Sequence, residues 1–125
     1  HLLFTAWDAA QPATLSSIVI RDVIRGAIGF DGLLLTDDID MEALTGSVPE
    51  RSERALAAGC DVVLNCWARM DDMVGIAQRC GALSEGALAR LGRVHEAMGL
   101  PGDGPPIEEL LAKRDGLLAI AQERA

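Results

Sequence analysis

Three carboxylates, Asp37, Asp38 and Asp40, follow directly on the aliphatic run Leu33-Leu34-Leu35. A short run of bulky aliphatics bounded by Gly32 reads as a strand buried in a parallel sheet. That puts the acids at its C-terminal end, where α/β folds bind ligands and carry out chemistry. Asp38 and Asp40 equally suit the capping of the turn that follows. A phosphate-accepting receiver domain also opens on an acidic pair, but it needs a further strand-end Asp and a strand-end Lys. Here the next strand ends in Asn65-Cys66-Trp67, and the one lysine, Lys113, lies in a terminal helix. A phosphatase of the Asp-x-Asp type could use Asp38 and Asp40, yet Met41-Glu42 stand where a hydroxyl is usual. A glycosidase needs an ionised carboxylate on a rigid strand end beneath a sugar ring, and a separate acid/base. Asp37 suits the first of those roles.

The elements that must position Asp37 follow from the apolar pattern. Strands are expected at about 2–5, 33–36 and 62–66, side by side and parallel, with helices on one face. The signatures Gly29-Phe30-Asp31 and Gly59-Cys60-Asp61 lie 30 residues apart, the period of a βαβ unit. Between them the spacing predicts a helix over 16–28, with Thr14 or Ser16 as N-cap and Ile18, Val19, Val23, Ile24, Ala27 and Ile28 on its inner face. A second helix opens on Pro49 and runs to about Ala58. Beyond the third strand the pattern is helical: 70–80, 84–98 with Ser84 as N-cap, and 107–121 with Leu110, Leu111, Leu117, Leu118 and Ala121 on its apolar side. Pro and Gly at 100–106 mark a linker. The fold class is therefore α/β over 1–98, with a linker and terminal helix over 99–125.

Composition narrows the partners. The 125 residues are 50% hydrophobic and only 3% aromatic, so the core is aliphatic. Eleven basic and nineteen acidic residues give a net charge of −8, which argues against nucleic acid or an anionic membrane as partner. No apolar run reaches the roughly 18 residues of a membrane span. Cys60, Cys66 and Cys80 lack metal-site spacing and are expected reduced and buried, which fits a cytoplasmic protein. Neither a cofactor nor a metal is implied.

Pro12-Ala13-Thr14-Leu15-Ser16, Ile28-Gly29-Phe30-Asp31-Gly32, Thr36-Asp37-Asp38-Ile39-Asp40-Met41-Glu42-Ala43 and Ala57-Ala58-Gly59-Cys60-Asp61-Val62-Val63-Leu64 resemble, in order and spacing, the glycoside hydrolase family 3 β-N-acetylhexosaminidases. The resemblance covers about residues 1–98. Its most diagnostic piece is Thr36-Asp37-Asp38-Ile39-x-Met41, since the related β-glucosidases usually carry an aromatic residue where Asp38 stands. It implies a (β/α)8 barrel whose sixth, seventh and eighth strands are those above. It also implies Asp37 as the nucleophile of a retaining hydrolysis, with a terminal β-linked N-acetylglucosamine, such as that of a muropeptide, as substrate.

The family's acid/base, a His paired with an Asp after the fifth strand, and its sugar-gripping Arg and Lys-His would lie upstream of His1. A whole barrel needs about 250 residues. The resemblance therefore implies that this chain carries the C-terminal part of the barrel, with a complementing N-terminal half as partner and no useful activity alone. A β-glucosidase of the same family and a non-catalytic half-barrel remnant are the rival readings. Around Asp37, the expected substrate contacts are Asp38, Met41 on the pocket floor, and Asn65, which could touch the sugar or brace Asp37. Trp67 and Arg69 suit the cleft mouth, though Arg69 suits a solvated loop charge better; Asp8 and Trp7 suit either its rim or loop capping and packing. His1 is expected to begin the first strand, at the end of the barrel away from catalysis. His95 is expected in a late helix, packed or solvated.

Overall fold

The computed structural model describes residues 1–98 and 104–123, and for 121–123 the backbone alone. The chain divides into two units, 1–95 and 96–125. The first opens on an irregular segment, a 3₁₀ turn at Ala13–Leu15 and a π-helical segment at Val19–Ala27. It continues with β1 (Leu35–Asp38), α1 (Val48–Ala58), β2 (Val62–Leu64), α2 (Met70–Cys80) and α3 (Glu85–Met98), whose last turn enters the second unit. That second unit contains α4 (Ile107–Glu123), on which Leu110, Leu111, Leu117 and Leu118 are exposed. The expected linker over 100–106 falls largely outside the described residues. Among those described, no helix is long and apolar enough to cross a membrane.

β1 and β2 pair in parallel, Leu35 opposite Val62 and Asp38 opposite Leu64, with one irregularity between these points. Thr36 lies at that irregularity. Its buried side-chain hydroxyl accepts the Leu64 amide at 3.0 Å in place of a backbone carbonyl, and the Ile39 amide then closes the ladder on the Leu64 carbonyl at 2.8 Å. The core beneath is small and aliphatic, as the composition required: Leu15, Ile39, Leu44, Val48 and Ala55, with Val63 and Ile76 packed against it. α1 begins at Ser47, where the Glu50 carboxylate accepts both the Ser47 amide and its hydroxyl at 2.9 Å. This reciprocal cap holds the first turn of the helix.

Three expectations are corrected. The sheet has two strands among the described residues, and residues 2–5 are not one of them. Their backbone bonds locally instead: the Trp7 and Asp8 amides turn back onto the Phe4 carbonyl, and the Leu2 carbonyl takes the Ala13 amide. An apolar run forms a strand only where a neighbour offers a ladder. The helix expected over 16–28 is π-helical, the Ile28 amide reaching back five residues to the Val23 carbonyl. The β-branched residues Ile18, Val19, Ile20, Val23 and Ile24 crowd a tighter turn. It buries Val19 and Ile20 and leaves Ile18 and Ile28 exposed. Cys60 is buried, but Cys66 is exposed and Cys80 half-buried, and none is paired.

α1 ends at Gly59 with φ 117°, in the left-handed region, and a Cβ there would stand 2.9 Å from Ile20 Cγ2. Gly59→Ala therefore meets both backbone strain and a clash with the π-helical segment. A loss of about 1–3 kcal/mol is expected in urea-induced unfolding; an unchanged midpoint would contradict the packing described.

Candidate active site

The chemistry-bearing residues gather at the C-terminal ends of β1 and β2. Side chains alternate along β1, so Leu35 and Asp37 are exposed on one side while Thr36 is buried on the other. The Asp37 side chain is thus exposed, on the opposite side of the strand from the buried Thr36. Its Oδ1 accepts the Asp38 amide at 2.8 Å, which orients the group.

Asp38 is engaged within the protein. Its Oδ1 accepts the Asp40 amide at 3.2 Å and the Cys66 amide at 3.1 Å, joining the turn after β1 to the turn after β2. This is the capping role that its spacing equally allowed, extended to a second strand. Asn65 follows β2 and is half-buried; its Nδ2 is shielded from solvent with no hydrogen-bond partner among the described residues. A buried unpaired donor is costly, and here it stands at a strand end beside the acidic turn.

Met41 lies in a separate cleft of about 680 Å³, which it shares with Asp40, Arg51, Trp67 and Arg69. Trp67 is 73% exposed. Arg69 grips Asp40 with Nη2 3.1 Å from both carboxylate oxygens, and its Nε donates to Asp72 at 3.0 Å. Both acids raise the Arg69 pKa, the Asp72 hydrogen bond most. Asp37, Asp38 and Asn65 do not line this cleft. Asp37 instead borders a hollow of about 110 Å³ with Thr14, Thr36 and Cys60. The Cys60 thiol is pushed up to about 11, chiefly by burial and further by the Asp61 charge, so it is a packing group and no nucleophile at neutral pH.

In the segment before the π-helix, Asp8, Trp7 and Ser16 take the capping and packing roles among those expected of them. Asp8 caps its loop: Oδ1 accepts the Ala10 and Gln11 amides at 2.8 and 3.2 Å, and Oδ2 accepts the Ser16 hydroxyl at 2.6 Å. Ser16 Oγ in turn takes the Val19 amide at 3.1 Å. Ser16 is therefore the N-cap, and Thr14 is not. Trp7 is half-exposed and tilts against Phe4, ring centroids 5.2 Å apart.

His1 stands against the end of β1, contrary to its expected place at the far end. Its Nε2 lies 2.9 Å from the Asp38 carbonyl and its Nδ1 2.7 Å from Thr14 Oγ1. No spacing signal pointed to this, because the contact joins residues 37 apart across an irregular segment. His95 lies in α3 and is exposed. Among the described residues, no three of His, Cys, Asp or Glu converge as metal ligands.

Residues 1–96 match the family model described as the glycosyl hydrolase family 3 N terminal domain. A curated relative named beta-hexosaminidase from Chromobacterium violaceum is 47% identical over 68 residues, 53% of this chain and 19% of the relative. One of the same name from Vibrio cholerae is 44% identical over 71 residues, 55% of this chain and 21% of the relative. The chain spans about a fifth of the length of these relatives. Among solved structures, zinc-bound CbsA from Thermotoga neapolitana superposes with a TM-score of 0.55 at 28% identity, over 72% of this chain and 22% of that one. A fungal multi-domain GH3 β-N-acetylglucosaminidase gives 0.63 at 20% identity, over 77% of this chain and 13% of that one, a likeness of fold.

The Asp8 loop carries a pH signature. The Ser16 hydroxyl, then the Ala10 amide, hold the Asp8 carboxyl below its ordinary value. A carboxyl lowered on folding adds stability above its unfolded pKa, and that contribution is lost as pH falls through the lower folded value. Ser16→Ala should move the Asp8 carboxyl titration, followed by its ¹³C shift, upward towards the ordinary value. The loop would then loosen at a higher pH than in the unmodified protein. An unshifted titration would remove Ser16 as the cause.

Proposed function

The chain belongs to glycosyl hydrolase family 3, and we propose that it supplies the nucleophile-bearing part of a retaining enzyme. That enzyme would remove terminal β-linked N-acetylglucosamine from glycosides such as muropeptides. The observation that carries this reading is Asp37, an exposed carboxylate at the C-terminal end of a parallel strand, with one oxygen oriented by the next amide. The names of the relatives from Chromobacterium violaceum and Vibrio cholerae supply the sugar class.

In this reading Asp37 attacks the anomeric carbon as the bond to the leaving oxygen breaks. The resulting glycosyl-ester is hydrolysed by water with net retention. Asn65, at the end of the neighbouring strand, braces the site from beneath, its Nδ2 being shielded from solvent. Asp38 holds together the two turns beneath the sugar rather than gripping it, and Met41 with Trp67 borders the leaving-group side. The proton for the leaving oxygen comes from outside this chain. His1 is close enough to invite the role, but both of its ring nitrogens are engaged, one of them by a backbone carbonyl that can only accept.

A barrel completed by a complementing N-terminal half accommodates the exposed inner side of the strands, Leu35 and Leu64. β1 and β2 would be two of its last three strands. The three unpaired cysteines are consistent with a cytoplasmic setting. Asp38, where β-glucosidases of the family carry an aromatic residue, favours the N-acetylhexosaminidase over that rival.

In the assembled enzyme, Asp37→Ala should lower turnover of an aryl N-acetylglucosaminide by about 10⁴-fold or more. Azide should restore turnover and yield a glycosyl azide of inverted configuration; full activity without azide would dismiss Asp37 as nucleophile. Residues 1–125 alone should show no useful turnover, since a missing proton donor costs about 10²–10⁴-fold. Turnover by the isolated chain that vanishes in Asp37→Ala would assign the donor to a group within it.

A further inference from the structure

The residue that follows the proposed nucleophile is held from several sides. The Asp38 amide donates to Asp37 Oδ1 at 2.8 Å, and the Asp38 carboxylate takes the Asp40 and Cys66 amides. Its carbonyl accepts the Met41 amide at 3.2 Å and faces His1 Nε2 at 2.9 Å. All but the last of these contacts come from the β1 and β2 strand ends and the turns that follow them. Only His1 reaches Asp38 from the segment before the π-helix.

The chemistry of the partners sets which nitrogen must carry a hydrogen. A carbonyl only accepts, so Nε2 carries the hydrogen. In the neutral ring Nδ1 is then an acceptor, and the Thr14 hydroxyl donates to it at 2.7 Å. Thr14 is itself placed by the 3₁₀ turn, whose Ala13 amide bonds to the Leu2 carbonyl at 2.8 Å. The half-buried imidazole is thus fixed on both sides and has no nitrogen left for substrate.

We propose that His1 is a positioning residue for Asp37. By donating Nε2–H to the Asp38 carbonyl, it fixes the orientation of residue 38, and with it the amide that holds Asp37 Oδ1. This leaves Oδ2 directed to the anomeric carbon. The kinetic part of the proposal rests on the reading of Asp37 as nucleophile; the clamp itself does not. Misplacing a reacting group by about 1 Å can cost on the order of 10²-fold in rate, so a clamp one residue from the nucleophile acts on turnover rather than on affinity.

The test uses residues 1–125 and three variants, His1→Ala, His1→Gln and Thr14→Val. Hydrogen exchange of the Asp38 amide is compared with that of Leu64, which donates to Thr36 on the same strand pair. His1→Ala should speed Asp38 exchange about fivefold, the worth of one hydrogen bond, and leave Leu64 unchanged. His1→Gln, which keeps a side-chain N–H donor, should recover most of the protection. Thr14→Val should give a smaller loss. Imidazole ¹⁵N shifts should show the Nε2-protonated neutral ring.

Equal acceleration at Asp38 and Leu64 would mean that His1 merely stabilises the fold and would overturn the proposal. So would unchanged exchange at Asp38, or a neutral ring protonated on Nδ1. In the assembled enzyme, His1→Ala should lower kcat roughly 10- to 100-fold with KM little changed, and His1→Gln should restore it in part. A raised KM at unchanged kcat would also overturn it. Full activity in Asp37→Ala would instead defeat the nucleophile reading, while the exchange and ¹⁵N measurements would still judge the clamp.

Discussion

The structure depends on one buried carboxylate. The Asp61 side chain is 5% exposed and receives Arg25 Nη2 at 2.8 Å, Arg90 Nη1 at 3.0 Å and the Leu34 amide at 2.9 Å. Those donors come from the π-helical segment, from α3 and from the residue that leads into β1. One group therefore fixes where both strands begin and ties two helical elements to them. Such a site adds little net stability compared with apolar packing, but removing one partner of a buried ion pair costs about 3–5 kcal/mol. Its contribution is to register: with the strand starts locked, Asp38 comes opposite Leu64 at the other ends.

Each layer along the strands is held by a different force. At their N-terminal ends charge dominates, with Arg93 and Arg90 also reaching Asp31 at 2.9 and 3.5 Å. The aliphatic cluster around Ile39, Leu44 and Val48 packs where the chain leaves β1, next to the Ser47–Glu50 cap that starts α1. At the C-terminal ends the bonds made by Asp38 and His1 are neutral or singly charged: carboxylate to amide, imidazole to carbonyl, hydroxyl to ring nitrogen. The arginines there, Arg51 and Arg69, turn to backbone carbonyls and to Asp40 and Asp72. Asp37 is thus left without a cationic partner among the described residues, an arrangement suited to the nucleophile role proposed for it.

The Gly-x-Asp repeat shows how far local pattern reaches. Gly29 and Gly59 both adopt positive φ, 72° and 117°, which ends the preceding helical segment. The aspartate two positions later is then captured by arginines as the next strand starts. The repeat was legible because each half of that device is local. The arginines that complete it were not, since Arg25 and Arg90 lie 36 and 29 residues from Asp61.

By itself, the sequence determined the elements whose causes are short in range. Hydrophobic period, capping residues and Gly or Pro boundaries set α1, α2, α3 and the presence of two strands, although β1 lies at Leu35–Asp38, two residues beyond the expected 33–36, so that Asp37 falls within its C-terminal end rather than after it. Only the tertiary structure decided whether residues 2–5 had a strand to pair with. It also put His1 at the acidic end and turned Asp38 inward as a link between two turns. These outcomes rest on contacts between residues tens of positions apart. Such contacts cost chain entropy to form and leave no periodic trace in the sequence.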